Sequence, residues 1–136
     1  LDGLRHLISQ GRQQDPEFDA RGEIERWVAR IEIDLKALEI TELRILSSVS
    51  GGGNPGPESS ILKLVGSVLT QEADELAMEL MGHDSLSWLN EPGAVPEFEQ
   101  WVGSQFCYNR ATTIYAGSNE IQKNIIAKLI LGLPKK

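Results

Sequence analysis

Residues 113–134 read TIYAGSNEIQKNIIAKLILGLP. An extended approach, a tight turn at Ala116-Gly117-Ser118 and a single helix are the expected structures. Ser118 is placed to accept a hydrogen bond from a first-turn N–H, and Glu120 sits where the helix dipole favours a carboxylate. Ile121, Ile125, Ile126, Leu129 and Ile130 make a broad apolar stripe. Gly132 supplies a left-handed stop, with Pro134 beyond it. The turn leaves unpaired amides at a helix start, where a cofactor or a substrate carbonyl is readily met.

Helical spacing extends through the rest of the chain. Leu1, Leu4, Leu7 and Ile8 mark residues 1–13 as the tail of a helix, which Asp15-Pro16 interrupts. A long helix is expected from about Glu17 to Val49, its core face being Ile24, Trp27, Val28, Ile31, Leu35, Leu38, Ile45 and Leu46. After a loop at 50–56, Pro57 opens a helix to Met81 that buries Ile61, Val65, Val68, Leu69, Ala73, Leu76 and Leu80, with Met78 and Met81 as gap fillers. Gly82 ends it, 83–95 read as a loop, and a shorter helix spans about Glu97 to Arg110. Such faces satisfy themselves only by packing on one another. The expected fold is all-α, an up-and-down four-helix bundle with short additional helical segments.

A chain of 136 residues is one domain, 1–136, by size. It opens without Met in mid-helix style, so it reads as a piece of a longer protein. Net charge is −7 and unevenly spread: residues 51–100 carry nine acids against Lys63 alone, whereas 101–136 carry one acid against five bases. An acidic chain without a basic stripe speaks against nucleic acid and anionic membranes as partners. No run is long enough to span a bilayer, and the start lacks a signal-peptide pattern.

Several motifs have a bland reading that outweighs the chemical one. Gly51-Gly52-Gly53-Asn54-Pro55-Gly56 matches G-x-G-x-x-G but follows a helix, not a strand, and reads as a helix-to-helix turn. His6 and His83 lack metal-ligand spacing, so no metal site is expected. Cys107, among Trp101, Val102, Phe106 and Tyr108, reads as a buried inert thiol rather than a nucleophile. No serine has a nucleophile elbow, and no carboxylate combines an apolar setting with a partner nearby in sequence.

Residues 110–134 closely resemble the C-terminal signature of acyl-CoA dehydrogenases, and PGPESSILKLVGSVLTQEADELAMELMG at 55–82 resembles the penultimate long helix of bacterial members. The resemblance implies a helical C-terminal domain, preceded in the family by a helical and a β domain absent from this chain. It implies FAD as cofactor, an acyl-CoA thioester as substrate, α,β-dehydrogenation in cytoplasmic fatty-acid metabolism, and assembly as a dimer or tetramer, or with a related subunit. The domain alone is expected to be inactive and to hold no tightly bound flavin.

The family's Tyr-Glu-Gly-Thr turn, which often carries the catalytic base, reads Tyr115-Ala116-Gly117-Ser118 here. A methyl group accepts no proton, so no catalytic residue is assigned within the chain; the base is expected upstream, or the parent is a non-catalytic subunit of a heteromeric enzyme. Tyr115 and Gly117 match substrate-side positions. Ser118, Asn119 and Glu120 match the segment touching the flavin. Glu79 and Gly82 match a Gln-x-Phe-Gly segment that meets the ADP half of FAD, with Glu replacing Gln and His83 replacing a second glycine. Arg12 matches an arginine that pairs with FAD phosphate, though the surrounding R-x-x-F-G pattern is missing and a solvated surface arginine is an equal reading. Arg110 is either structural or a flavin-proximal cation.

Overall fold

A computed structural model describes residues 1–15, 17–18, 22–86 and 99–134, and among these the chain is helical, without strands. Five α-helices occur: α1 (Asp2–Gln14), α2 (Glu23–Ser50), α3 (Ser59–Met81), α4 (Val102–Asn109) and α5 (Asn119–Ile125). Short 3-10 turns follow α3 (Gly82–Leu86), precede α4 (Glu99–Trp101) and follow it (Arg110–Thr113), and α5 widens into a π turn, Ile126–Ile130. The expected all-α class is what is found. The long helix begins at Glu23 rather than Glu17; Pro16, the loop at 87–95 and the expected start at Glu97 lie outside the described residues.

Contacts divide the chain into two compact units, Leu1–Glu32 with Thr70–Arg110 and Ile33–Leu69 with Ala111–Lys136. The first has an apolar core of Leu4, Leu7, Ile8, Val28, Ile31, Leu76, Ala77 and Val102, with Phe18, Ile24, Trp27, Ala73, Met78, Leu80 and Met81 packed against it. Each large aliphatic side chain fully buried here contributes about 1.5–3 kcal/mol. Gly11 is required, because a Cβ there would collide with the ring of Phe18. Met78 and Met81 sit against this core, as a flexible thioether should. Arg5 pairs with Glu32 at 2.6 Å, Arg30 with Glu72 at 2.6 Å, and Arg12 with Glu25.

The second unit departs from the expected core face. Leu35 and Leu46 of α2 and Val68 of α3 are exposed, and Leu38 and Ile45 are only half-buried. None of Ile121, Ile125, Ile126, Leu129 and Ile130 is buried either. The buried positions of α5 are polar, Asn119 and Gln122. Periodicity locates an apolar face but does not say what covers it. Within this unit Leu38 packs over Gly66 of α3, where an added Cβ would meet its Cδ2 at 3.6 Å.

The glycine-rich loop behaves as a helix-to-helix turn. The N–H groups of Gly51, Gly52 and Gly53 return to the carbonyls of Ser47, Val49 and Ser48 at 3.0–3.2 Å, so they close α2 instead of cradling a phosphate. Cys107 is exposed, contrary to its apolar neighbourhood: α4 buries the Val102-Gly103 face, and Cys107 shares the outer one with Gln105 and Tyr108. At the chain's end Gly132 adopts φ +63°, the expected left-handed stop, and the Leu133 N–H reaches the Ala127 carbonyl at 2.9 Å. No described helix is long and apolar enough to cross a membrane.

Candidate functional site

The signature turn lies in the second unit, between the Arg110–Thr113 turn and α5. The N–H groups of Ile114 and Tyr115 both reach the Ala111 carbonyl, at 2.9 and 3.0 Å. Ala116 and Gly117 then take consecutive left-handed conformations, φ +54° and +90°. Glycine adopts this freely, but alanine pays about 1–2 kcal/mol for it. The backbone conformation demands glycine, and a Cβ on Gly117 would stand 2.6 Å from Gln122 Nε2, so it would also push that amide off the turn. Gln122 is buried and directs its amide at the Ala116 and Gly117 carbonyls, 3.3 and 3.4 Å away. The N–H groups of these two residues meet no acceptor among the described residues. Tyr115 and Ala116 are exposed and Gly117 half-buried.

Ser118 occupies the N-cap position of α5 in extended conformation, but its side chain does not cap the helix. Its hydroxyl lies beside the Glu120 carboxylate. Glu120's own backbone N–H and, second, the Ser118 hydroxyl hold that carboxyl below its ordinary value. Asn119 is buried, and its Oδ1 accepts from Lys63 Nζ at 2.9 Å and Ser67 Oγ at 3.1 Å. Of Ser118, Asn119 and Glu120, only Asn119 is buried, and it turns its oxygen inward to Lys63 and Ser67. Thr112, Lys63, Ser67 and Gln122 escaped the sequence reading. Its one available signal was that Lys63 is the lone base among nine acids.

Glu79 and Gly82 come together in the first unit, in a pocket of roughly 510 Å³ lined also by Trp27, Glu75, Met78, Ser85 and Phe106. Gly82 is left-handed at φ +53°, and its carbonyl accepts from Ser85 Oγ at 2.6 Å. Trp27, Phe106 and Met78 suit a flat heteroaromatic ring. Two carboxylates oppose a diphosphate, although Glu75 is paired with Arg110 at 2.8 Å. Arg12 is not on this wall, and its guanidinium is held by Glu25. The residues present thus fit the base of a flavin nucleotide, and its diphosphate calls for cations other than these.

Arg110, left open between two roles, is bound in place. Beyond Glu75 it donates to the Gln71 and Phe106 carbonyls at 3.3 Å, and its guanidinium stacks 4.4 Å from the Phe106 ring centre. Gln71 answers by donating to the Asn109 and Arg110 carbonyls at 3.0 and 3.3 Å. The arginine locks α4 to α3. Beside it Asp74 lines a pocket of about 200 Å³ with Leu4, Ala73, Ala77, Trp101 and Val102. Burial raises its carboxyl, against the Asn109 hydrogen bond at 2.9 Å and the Arg110 charge. Sequence spacing hides this apolar setting because its walls come from three separate segments. His6 shares a hydrogen bond with Gln10 at 3.0 Å, and both histidines are exposed.

Helical throughout its described residues, with a left-handed Ala-Gly turn opening α5, the chain has the architecture of an all-α domain. Residues 10–131 match the family model described as "Acyl-CoA dehydrogenase, C-terminal domain", and the chain belongs to that family. It is 40% identical over 82 residues to the acyl-CoA dehydrogenase IpdE1 of Mycolicibacterium smegmatis, covering 60% of this chain and 19% of that protein. Against acyl-CoA dehydrogenase FadE26 of Mycobacterium tuberculosis it is 32% identical over 111 residues, covering 79% and 27%. The crystal structure of the ChsE4-ChsE5 complex from Mycobacterium tuberculosis superposes with a TM-score of 0.78 at 28% identity, over 99% of this chain and 35% of that one. The chain therefore spans about a quarter of the length of the curated relatives it matches.

Proposed function

We propose that this chain is the C-terminal domain of an FAD-dependent, cytoplasmic acyl-CoA dehydrogenase that introduces a double bond between Cα and Cβ of an acyl-CoA thioester. The observation that carries the reading is the turn: two successive left-handed residues whose N–H groups lack partners among the described residues. Such amides stabilise charge developing on a thioester oxygen and so acidify the α-proton. When bound, the flavin supplies the acceptor for the Cβ hydride. Ser118 and Glu120 border it on the α5 side and Tyr115 and Gly117 face the acyl group, while the Glu79–Gly82 pocket with Trp27 and Phe106 meets the adenine end of a flavin held by a neighbouring subunit. Arg12 reaches a phosphate only by exchanging Glu25 for it. The base comes from residues preceding this chain, because Ala116 offers none.

In the full-length enzyme, Gly117→Val should abolish flavin reduction by an acyl-CoA while most of the flavin stays bound. Undiminished reduction would remove the turn from the active site. A second reading is supported by the exposed apolar residues of the second unit and by a solved relative that is a complex of two different chains. There this domain is a helical assembly module of a heteromeric enzyme and its own turn does no chemistry. Under it, changing Ser118 and Glu120 together leaves the parent's flavin content and turnover intact.

A further inference from the structure

Lys63 projects from α3 in the second unit and is half-buried. Its Nζ donates at 2.8 Å to the Thr112 carbonyl and at 2.9 Å to Asn119 Oδ1. Those acceptors flank the segment that contains the left-handed pair Ala116-Gly117, one just before it and one just after. Ser67, one helical turn along α3, sends a second donor to the same Asn119 oxygen. Asn119 and Thr112 are both buried, so the anchor sits behind the turn rather than on it. Lys63 takes part in none of the ion pairs among the described residues. Burying an ammonium partway with no carboxylate in direct contact is costly, Glu120 acting on it only through its field, and charged donors to neutral oxygens give bonds roughly twice as strong as neutral pairs. One cation thus closes a short loop whose unusual backbone would otherwise relax.

We infer that Lys63 is a positioning residue: by clamping Thr112 and Asn119 it holds the Ala116-Gly117 amides in reactive geometry. The inference rests on the proposal that this turn meets the thioester. It adds that the precision of the turn is set from a neighbouring helix and not by the turn's own sequence. A misplacement of about 1 Å at such a group lowers a rate by as much as ~100-fold.

The test uses the full-length protein with Lys63→Met, Asn119→Ala and the double variant. Two quantities are read: amide hydrogen exchange over residues 113–118, and the rate of flavin reduction at saturating acyl-CoA beside the acyl-CoA dissociation constant. The clamp requires at least about tenfold faster exchange in both single variants, a saturating rate lower by roughly 10–100-fold, and a dissociation constant within about threefold of the parent. The double variant should fall short of the sum of the two single effects, because both single variants remove the Lys63–Asn119 bond. Should Lys63→Met fail to fold, Asn119→Ala removes the acceptor and reads the same clamp. Unchanged exchange in the segment overturns the inference whatever turnover does. Faster exchange with an unchanged rate overturns instead the placement of the turn beside the thioester.

Discussion

The two units of this chain spend their polar and apolar residues in opposite ways. In the first, eight apolar residues close a core, and its polar side chains lock helices from outside, as Arg110 does across Gln71, Glu75 and Phe106. In the second, Ser60, Ser67, Thr112, Asn119 and Gln122 are buried beside the aliphatic Leu69, while Ile33, Ile40, Leu43, Leu46, Ile121, Leu129 and Leu131 are exposed. A unit with polar residues inside and aliphatic ones outside is not finished by its own contacts. Exposed apolar surface of this kind marks an interface. The first unit is built for stability, the second for a turn and for whatever covers it.

The largest expected effect probes this contrast directly. Leu76 is 0% exposed, so Leu76→Ala should cost about 2–5 kcal/mol in denaturant unfolding. Leu43 is 58% exposed, and Leu43→Ala should shift the same measurement by no more than about 0.5 kcal/mol. Leu43→Asp, equally mild for folding, should shift the sedimentation profile from oligomer toward monomer. Equal costs at the two leucines would erase the distinction between the units.

The sequence revealed the two units unequally for the same reason. Spacing identified α1, α2, α3 and the Gly132 stop, because a 3.6-residue apolar repeat is a local property. It also marked Leu35, Leu46, Val68 and the α5 stripe as core, because a repeat looks alike whether another helix or a partner covers it. The turn was visible through Gly117, whose conformation only glycine takes easily. The left-handed Ala116 was not, since alanine carries no such preference. Lys63 with Asn119, and Asp74 with its apolar walls, are joined by tertiary contacts that no window of sequence contains. Ser118 had the right identity and position for a cap, yet its side chain makes no cap bond and lies beside the Glu120 carboxylate.

An intermediate effect tests how the turn is held. Ala116→Gly relieves about 1–2 kcal/mol of left-handed strain and returns about 0.4–1 kcal/mol through greater freedom in the unfolded chain. The net expectation is a slightly more stable protein, by roughly 0.5–1 kcal/mol in denaturant midpoint analysis. A destabilised variant would mean that the alanine methyl makes contacts that outweigh its backbone strain.

The smallest effects come from two carboxylates, one per unit, with opposite signs. Burial raises Asp74 from its ordinary 3.8, so the folded state holds its proton more tightly than the unfolded chain. Its contribution is fully present below pH 3.8 and is lost as pH rises through the raised native value. Asp74→Asn should therefore raise the melting temperature at pH 7, and the gain should vanish as pH falls to that window. Glu120 is displaced the other way from 4.5, by its own N–H and the Ser118 hydroxyl. Its contribution is present above pH 4.5 and is lost as pH falls through the lowered native value. Glu120→Gln should lower the melting temperature slightly at pH 7 and match the parent at low pH. Melting curves of both variants between pH 3 and 7 should converge from opposite sides. If both differences carry the same sign at pH 7, one carboxylate is not where the packing of its unit places it.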